Sequence, residues 1–212
     1  MRNKIVTVLL AVALTSASYA GVIGNWEGTS TDGWINWSGG AAIETLPAEY
    51  SANTSWHTLG SQSLQLTNNG WSQTLSLKLE YQPGEVADFL ANTKLEFDIA
   101  VPNIGNAGGW GKIENVVLNA SGWGWNALPS STFMVGLWAG SGTVVQHEVI
   151  DYSAALPYVT ATPSGGYIEL VFTTNNDGTN NEMLFDNIKL TPEPATMALL
   201  GLGGLALIRR KR

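Results

Sequence analysis

The sequence predicts an all-β domain, a two-sheet antiparallel β-sandwich of jelly-roll type with one short helix. Three observations lead there. Short apolar runs are separated by Gly-, Ser-, Thr- and Asn-rich turns. Alternation is clean in Thr74-Leu75-Ser76-Leu77-Lys78-Leu79, where three leucines share a face. The run Tyr167-Ile168-Glu169-Leu170-Val171-Phe172 is apolar on both parities, as in a strand inside a sandwich. About ten strands in some 170 residues suit a sandwich, with a closed barrel as the competing arrangement.

The strands predicted in order are 22–26, 34–37, 63–67, 73–79, 94–101, 113–119, 132–139, 143–150, 167–174 and 183–190. Turns at Asn68-Asn69-Gly70, Gly140-Ser141-Gly142, Pro163-Ser164-Gly165-Gly166 and Asn175-Asn176-Asp177-Gly178 divide them. One segment has a different period. In residues 84–92, Val86, Phe89 and Leu90 fall at i, i+3 and i+4, Pro83 precedes and Asn92 follows. That predicts a short helix packed under a sheet. Residues 103–110 and 122–129 read as exposed loops.

The two ends have another character. Arg2 and Lys4 precede a ten-residue apolar stretch, 5–14, and Ser18-Tyr19-Ala20 presents small residues where a signal peptidase reads them. Residues 1–20 are therefore expected to be a signal peptide cut after Ala20. Residues 21–191 form the sandwich and 192–212 a separate tail. The tail runs Pro192-Glu193-Pro194, an apolar stretch over 195–208, then Arg209-Arg210-Lys211-Arg212. Fourteen helical residues span about 21 Å against a hydrocarbon core of about 30 Å. Snorkelling Arg and Lys side chains extend that reach. Glycines 201, 203 and 204 suit a membrane helix better than a soluble one. A single transmembrane helix over 195–208 is expected, its basic tail on the cytoplasmic side.

This order of Pro-Glu-Pro, apolar run and terminal basic cluster resembles the PEP-CTERM sorting signal of Gram-negative bacteria. The resemblance implies a protein exported through the inner membrane and anchored there transiently. An exosortase, a membrane-embedded cysteine-type transpeptidase, then cleaves near the Pro-Glu-Pro and passes the protein to the cell surface or exopolysaccharide matrix.

Charge and cysteine content limit what the folded part can do. Residues 21–192 hold four lysines, no arginine and 16 acidic residues, a net charge of −12. Such a surface repels nucleic acid and anionic headgroups and is compatible with neutral sugars and Ca²⁺. With no cysteine in the chain, disulfides, thiolate metal sites and a Cys nucleophile are excluded. The two histidines, His57 and His147, belong to no HExxH, and there is no Gly-x-Ser-x-Gly elbow or phosphate loop. Glu96 and Asp98 share a strand face, but a glycosidase needs its carboxyls across a cleft. No acid is singled out as catalytic, and a non-catalytic domain is expected.

Three segments resemble the opening, early and closing strands of galactose-binding-like jelly rolls, which include many carbohydrate-binding modules. They are Asn25-Trp26-Glu27-Gly28 with Thr31-Asp32-Gly33-Trp34, Gly60-Ser61-Gln62-Ser63-Leu64-Gln65-Leu66, and Leu184-Phe185-Asp186-Asn187-Ile188-Lys189-Leu190. The resemblance implies that the opening and closing strands are neighbours. It also implies a structural Ca²⁺ where they meet, with Glu27 and Asp186 as ligands. The alternative is that both carboxylates hydrogen-bond turn backbone.

Nine tryptophans supply the remaining signal. Trp26, Trp34, Trp71 and Trp138 read as core. Trp110, Trp123 and Trp125 lie in glycine-flanked segments and are the candidates for stacking on the apolar face of a sugar ring. Packing is the competing role for these three. The i, i+2 spacing of Trp123 and Trp125 predicts that both share a face. The expected partners are thus signal peptidase and exosortase during sorting, and a polysaccharide ligand. A structural matrix protein without a ligand is the alternative, and a glycan hydrolase or lyase a third reading.

Overall fold

The computed structural model describes residues 21–27, 32–35, 50–67, 73–101, 111–135, 143–176 and 182–193. Two antiparallel sheets face each other. The first has the order β10-β6-β12-β4-β3, with β1 also paired to β12. The second has the order β2-β5-β11-β7-β8, with β9 also paired to β7. The strands are β1 (Gly21–Gly24), β2 (Trp34–Ile35), β3 (Tyr50–Asn53), β4 (Ser63–Thr67), β5 (Gln73–Lys78) and β6 (Lys94–Val101). They continue with β7 (Gly111–Ala120), β8 (Gly124–Ala127), β9 (Phe133–Val135), β10 (Val144–Asp151), β11 (Ile168–Asn176) and β12 (Glu182–Thr191).

The sandwich, the helix and the pairing of opening with closing strand are as the sequence predicts. β1 lies antiparallel on β12, Gly21 opposite Leu190. Two strands were not predicted. β3 is four residues long, too short for its Tyr50/Ala52 alternation to stand out, and β8 falls in the Gly-rich stretch read as a loop over 122–129. The second sheet recruits β8 through β7, with Asn119 opposite Trp125. Pairing, not propensity, makes this segment a strand.

Alternating side chains from both sheets meet in one core. Phe172 of β11 is its hub, with ring centroids 5.5 Å from Trp34, 5.0 Å from Phe97 and 5.8 Å from Phe185. These contacts tie the second sheet to the first. Trp26 and Trp34 are buried, as expected, and the Trp34 indole N–H donates to the Ile23 carbonyl at 2.6 Å. Trp71 and Trp138 lie outside the described residues.

Helix α1 (Glu85–Ala91) closes one end. It begins after Gly84, whose φ of +88° suits glycine, and ends where the Asn92 side chain donates to the Asp88 carbonyl at 2.8 Å. Its apolar stripe faces inward, and Phe89 stacks on Tyr152 at 4.4 Å. The Tyr152 hydroxyl donates to the Phe89 carbonyl at 2.9 Å, which satisfies a buried phenol.

β12 is the pivot of the first sheet. It pairs with β6 along one side, and with β4 and then β1 along the other. The change of neighbour occurs at a bulge, where the β6 register slips between Asp186 and Lys189 and Asn187 takes a φ of +51°. After Thr191 the chain reaches Pro192, which has no N–H to continue a ladder, so the strand stops as the Pro-Glu-Pro begins. Among the described residues no helix is long and apolar enough to cross a membrane. The apolar stretches 5–14 and 195–208, Ala20, Pro194 and the tail Arg209 to Arg212 lie outside the described residues.

Candidate functional site

Strand parity divides the second sheet into an inner face, which supplies the core, and an outer face. The outer face carries a row that runs straight across four strands. Lys78 on β5 pairs with Glu169 on β11, Glu169 with Asn119 on β7, and Asn119 with Trp125 on β8. At about 4.8 Å per strand the row is about 14 Å long. A parallel row, Ser76, Val171, Val117 and Ala127, lies beside it. Val117 and Val171 are buried yet belong to no core cluster, so they form an apolar floor on this second side.

The polar groups on that floor are incompletely satisfied. Glu169 is 3% exposed. Its Oε2 accepts from Asn119 Nδ2 at 3.0 Å, while Oε1 is buried without a hydrogen-bond partner. Ser76 Oγ, in a fully buried residue, also has none. An unmet buried acceptor costs on the order of 1–3 kcal/mol, so each such group calls for a reason. Trp125 stands at the end of the row with 48% of its surface exposed. A flat exposed ring can hold the apolar face of a polyol, with the half-buried Asn119 amide on the next strand as a polar neighbour.

Of the two candidate tryptophans among the described residues, Trp125 has this setting and Trp123 does not. Trp110 lies outside the described residues. Trp123 does not share a face with Trp125, contrary to the spacing. It sits in the turn before β8, packs on the core and lies 5.6 Å from Tyr158. Gly124, with φ of +79°, breaks the extended alternation on which the spacing argument rested. Sequence reading missed Glu169, Asn119, Ser76 and Lys78. The visible signal was Glu169, a lone carboxylate inside the apolar run 167–172.

The first sheet uses its carboxylates differently. Asp186 is fully buried; its Oδ2 accepts from the Thr58 and Leu59 N–H groups at 2.6 and 2.8 Å, and its Oδ1 from the Asn187 N–H at 2.7 Å. Glu27 Oε1 accepts from the Ser61 and Gln62 N–H groups at 2.6 and 3.2 Å, and Oε2 from the Ser61 hydroxyl at 2.7 Å. The Ser61 bonds hold the Glu27 carboxyl below its usual range. Together the two acids clasp residues 58–62. A Cβ on Gly60, whose φ is +72°, would strike the Glu27 carboxylate.

Asp98 joins the clasp. It accepts from Thr58 Oγ1 at 2.5 Å and Asn187 Nδ2 at 3.0 Å, and its Oδ1 lies 2.6 Å from His147 Nδ1. Burial pushes its carboxyl up, but the bonds from Thr58, Asn187 and His147 outweigh this and hold it below the usual range. His57 is exposed beside the clasp.

The expected Ca²⁺ can be tested against this donor set. Ca²⁺ needs six to eight oxygen ligands. Here the two carboxylates meet N–H and O–H donors, whose positive ends face the space a cation would occupy. Among the described residues no group of three or more His, Asp or Glu side chains is arranged to hold a metal ion. Glu27 and Asp186 thus serve here as the acceptors of a hydrogen-bonded clasp.

With this geometry, the comparisons are informative in two parts. The sandwich is similar to solved carbohydrate-binding modules of the jelly-roll type. One is CBM27-1 of Caldicellulosiruptor saccharolyticus, solved in complex with mannohexaose. It is 16% identical, the match covers 82% of this chain and 98% of that one, and the TM-score is 0.50. Another is TmCBM27, described for specific mannan recognition, with 19% identity, 81% and 94% coverage and a TM-score of 0.48. A third is CBM28, described as specific for non-crystalline cellulose, with 14% identity, 82% and 96% coverage and a TM-score of 0.46. At these identities the likeness is one of fold. Separately, residues 190–212 match the family described as the PEP-CTERM protein-sorting motif. A comparison with curated proteins gives no match.

Proposed function

We propose that this chain is an exported surface protein whose β-sandwich binds polysaccharide without catalysis, on the outer face of the second sheet. The observation that carries the reading is the row Lys78, Glu169, Asn119 and Trp125, which sets an exposed indole in line with the half-buried Asn119 amide and Lys78 ammonium. A neutral glycan fits best. Its C–H face stacks on Trp125, its hydroxyls bond to the half-buried Asn119 and Lys78 of the same row, and the net charge of −12 disfavours anionic polymers and nucleic acid.

The test is titration of the exported protein with soluble mannan, xylan and cellulose derivatives, read by tryptophan fluorescence. A saturable shift is expected with at least one polymer. Removing a central aromatic anchor costs about 2 kcal/mol or more, so Trp125→Ala should weaken binding by about 30-fold. Unchanged affinity in that variant would overturn the assignment of the face. Absence of binding to any glycan would favour a structural matrix role, and release of reducing ends would make the protein a hydrolase or lyase.

For the route, we read residues 1–20 as a leader removed by signal peptidase after Ala20, 21–191 as the sandwich and 192–212 as the sorting segment. Exosortase acts near Pro192-Glu193-Pro194 while the apolar run 195–208 holds the protein in the inner membrane, with Arg209, Arg210, Lys211 and Arg212 on the cytoplasmic side. The family match over 190–212 supports this. Replacing Glu193 or deleting residues 209–212 should leave unprocessed protein in the inner membrane. Mature-sized mutant protein at the surface would contradict it.

A further inference from the structure

One pair of acids has no use in the sandwich as described. Glu85 and Asp88 lie one turn apart on α1, beside β1. Asp88 presses on the first residue of that strand, since a Cβ on Gly21 would lie 3.0 Å from Asp88 Oδ2. Glu85 lines a cavity of about 320 Å³ together with Val22, Ile23, Asp32 and Gln82. Its Oε2 is buried without a hydrogen-bond partner. No basic residue lies in the helix's last turn, and the ion pairs of the described residues include neither acid. Burial, and then the Asp88 charge, push the Glu85 carboxyl up to about 7.

Among the charged groups on the elements packed here, Asp151 is an acid, and Lys94 stands opposite it and Thr191. Asp32 is itself an acid, and its Oδ2 accepts from the Asn25 and Trp26 N–H groups at 2.9 and 2.6 Å. Lys189, opposite Val22 on β12, is 3.4 Å from Glu96 on the outer face. Residues 21–192 have only four lysines to offer. Asp88 therefore reaches Gly21, with Glu85 one turn before it, and no ion pair of the described residues includes either acid.

We propose that the partner is the chain's own new end. The α-amino group of Gly21, freed when the leader is cut after Ala20, docks on Asp88, one turn from Glu85, and completes the fold of the exported domain. This rests on the leader reading above. Hydrolysis of the Ala20–Gly21 peptide adds one water, leaves a carboxylate on Ala20 and gives Gly21 an amine that is protonated at neutral pH. A peptide N–H becomes an ammonium with three donors at a residue whose lack of side chain lets the Asp88 carboxylate close on it. While the leader is attached, that charge is missing and the two acids repel. Cleavage thus strengthens the seam between β1, α1 and β12 as the protein is released.

The sign of the pH dependence follows. A docked ammonium has a raised pKa. Its stabilisation is full below the ordinary α-amino value of about 8 and is lost as pH rises through the folded value. The experiment uses full-length protein exported with its own leader. The purified product is sequenced from its N-terminus, and the amine is titrated by NMR after reductive ¹³C-methylation, which keeps its charge. A Gly21 start and an amine pKa raised by one unit or more are expected, returning to the ordinary value in Glu85→Gln/Asp88→Asn. A variant with one Ala inserted between Ala20 and Gly21 moves the amine about 3.4 Å away and should melt lower, a difference that Asp88→Asn erases. A first residue other than Gly21 overturns the leader reading. A Gly21 start with an unshifted amine, and an insertion that leaves the melting temperature unchanged, overturns the docking alone.

Discussion

The two outer faces of the sandwich treat buried carboxylates in opposite ways. On the first sheet every carboxylate oxygen of Glu96, Asp98 and Asp186 has a partner. Thr191 donates to Glu96 Oε1 at 2.6 Å, Lys189 faces its Oε2 at 3.4 Å, and the 58–62 segment, Asn187 and His147 take the rest. On the second sheet Glu169 is as deeply buried, yet keeps an oxygen without a partner beside an equally unpartnered Ser76 hydroxyl. The comparison teaches that burial of an acid is not by itself a functional signal. Acids of similar burial differ in how fully their oxygens are satisfied, and the saturated ones hold structure together.

Four experiments break or sharpen this contrast. The largest effect is expected from Asp186→Ala, which leaves the Thr58 and Leu59 N–H groups unmet at the centre of the clasp. Two lost charge-assisted bonds cost about 3 kcal/mol, so the melting temperature should fall by roughly 6–10 °C in calorimetry, with glycan binding by the folded fraction unchanged. A fall of less than a degree would mean that the clasp contributes little.

Next is the mirror experiment. Glu169→Gln keeps the shape and removes an acceptor that the fold does not use. Because Glu169 holds Asn119 in the row, binding to the preferred glycan should weaken by a few-fold, while stability stays or rises by about 1 kcal/mol in urea melts as an unmet buried charge is removed. A large loss of stability with intact binding would place Glu169 with the structural acids.

A smaller effect is expected at acid pH. The Asp98 carboxyl is held below its unfolded value, so its contribution is present above the unfolded pKa of about 3.8 and is lost as pH falls through the folded one. Asp98→Asn should flatten the acid limb of a stability–pH curve below about pH 4. An unaltered limb would show that His147, Thr58 and Asn187 do not favour the ionised form. The smallest effect is expected from EDTA, which should leave the melting curve unchanged because donors already occupy Glu27 and Asp186. A fall restored by Ca²⁺ would replace the clasp with a metal site.

The legibility of these features follows the range of the interactions behind them. Helix α1 was readable because Val86, Phe89 and Leu90 lie within two turns of one another. β5 and β11 were readable because alternation is local. β8 was not, since its ladder comes from β7 across a turn that Gly122 and Gly124 shape with φ values of +84° and +79°. The same glycine separated Trp123 from Trp125. Glu27 and Asp186 were found from sequence as a pair that meets. Their use, as acceptors for a segment 128 residues from Asp186 in the chain, lay in the tertiary contacts.

By itself, the sequence determined the all-β class, the helix, the meeting of first and last strands, the acidic arginine-free surface and the bipartite tail that begins at Pro192. Each of these depends on composition, on short periodicity, or on residues next to one another. Only the tertiary structure decided which acids are saturated, which tryptophan is half exposed, and that Gly21 meets Asp88. Those outcomes depend on strand register, on the bulge at Asn187 and on left-handed turns at glycine, which set neighbours across the sheets that no local pattern records.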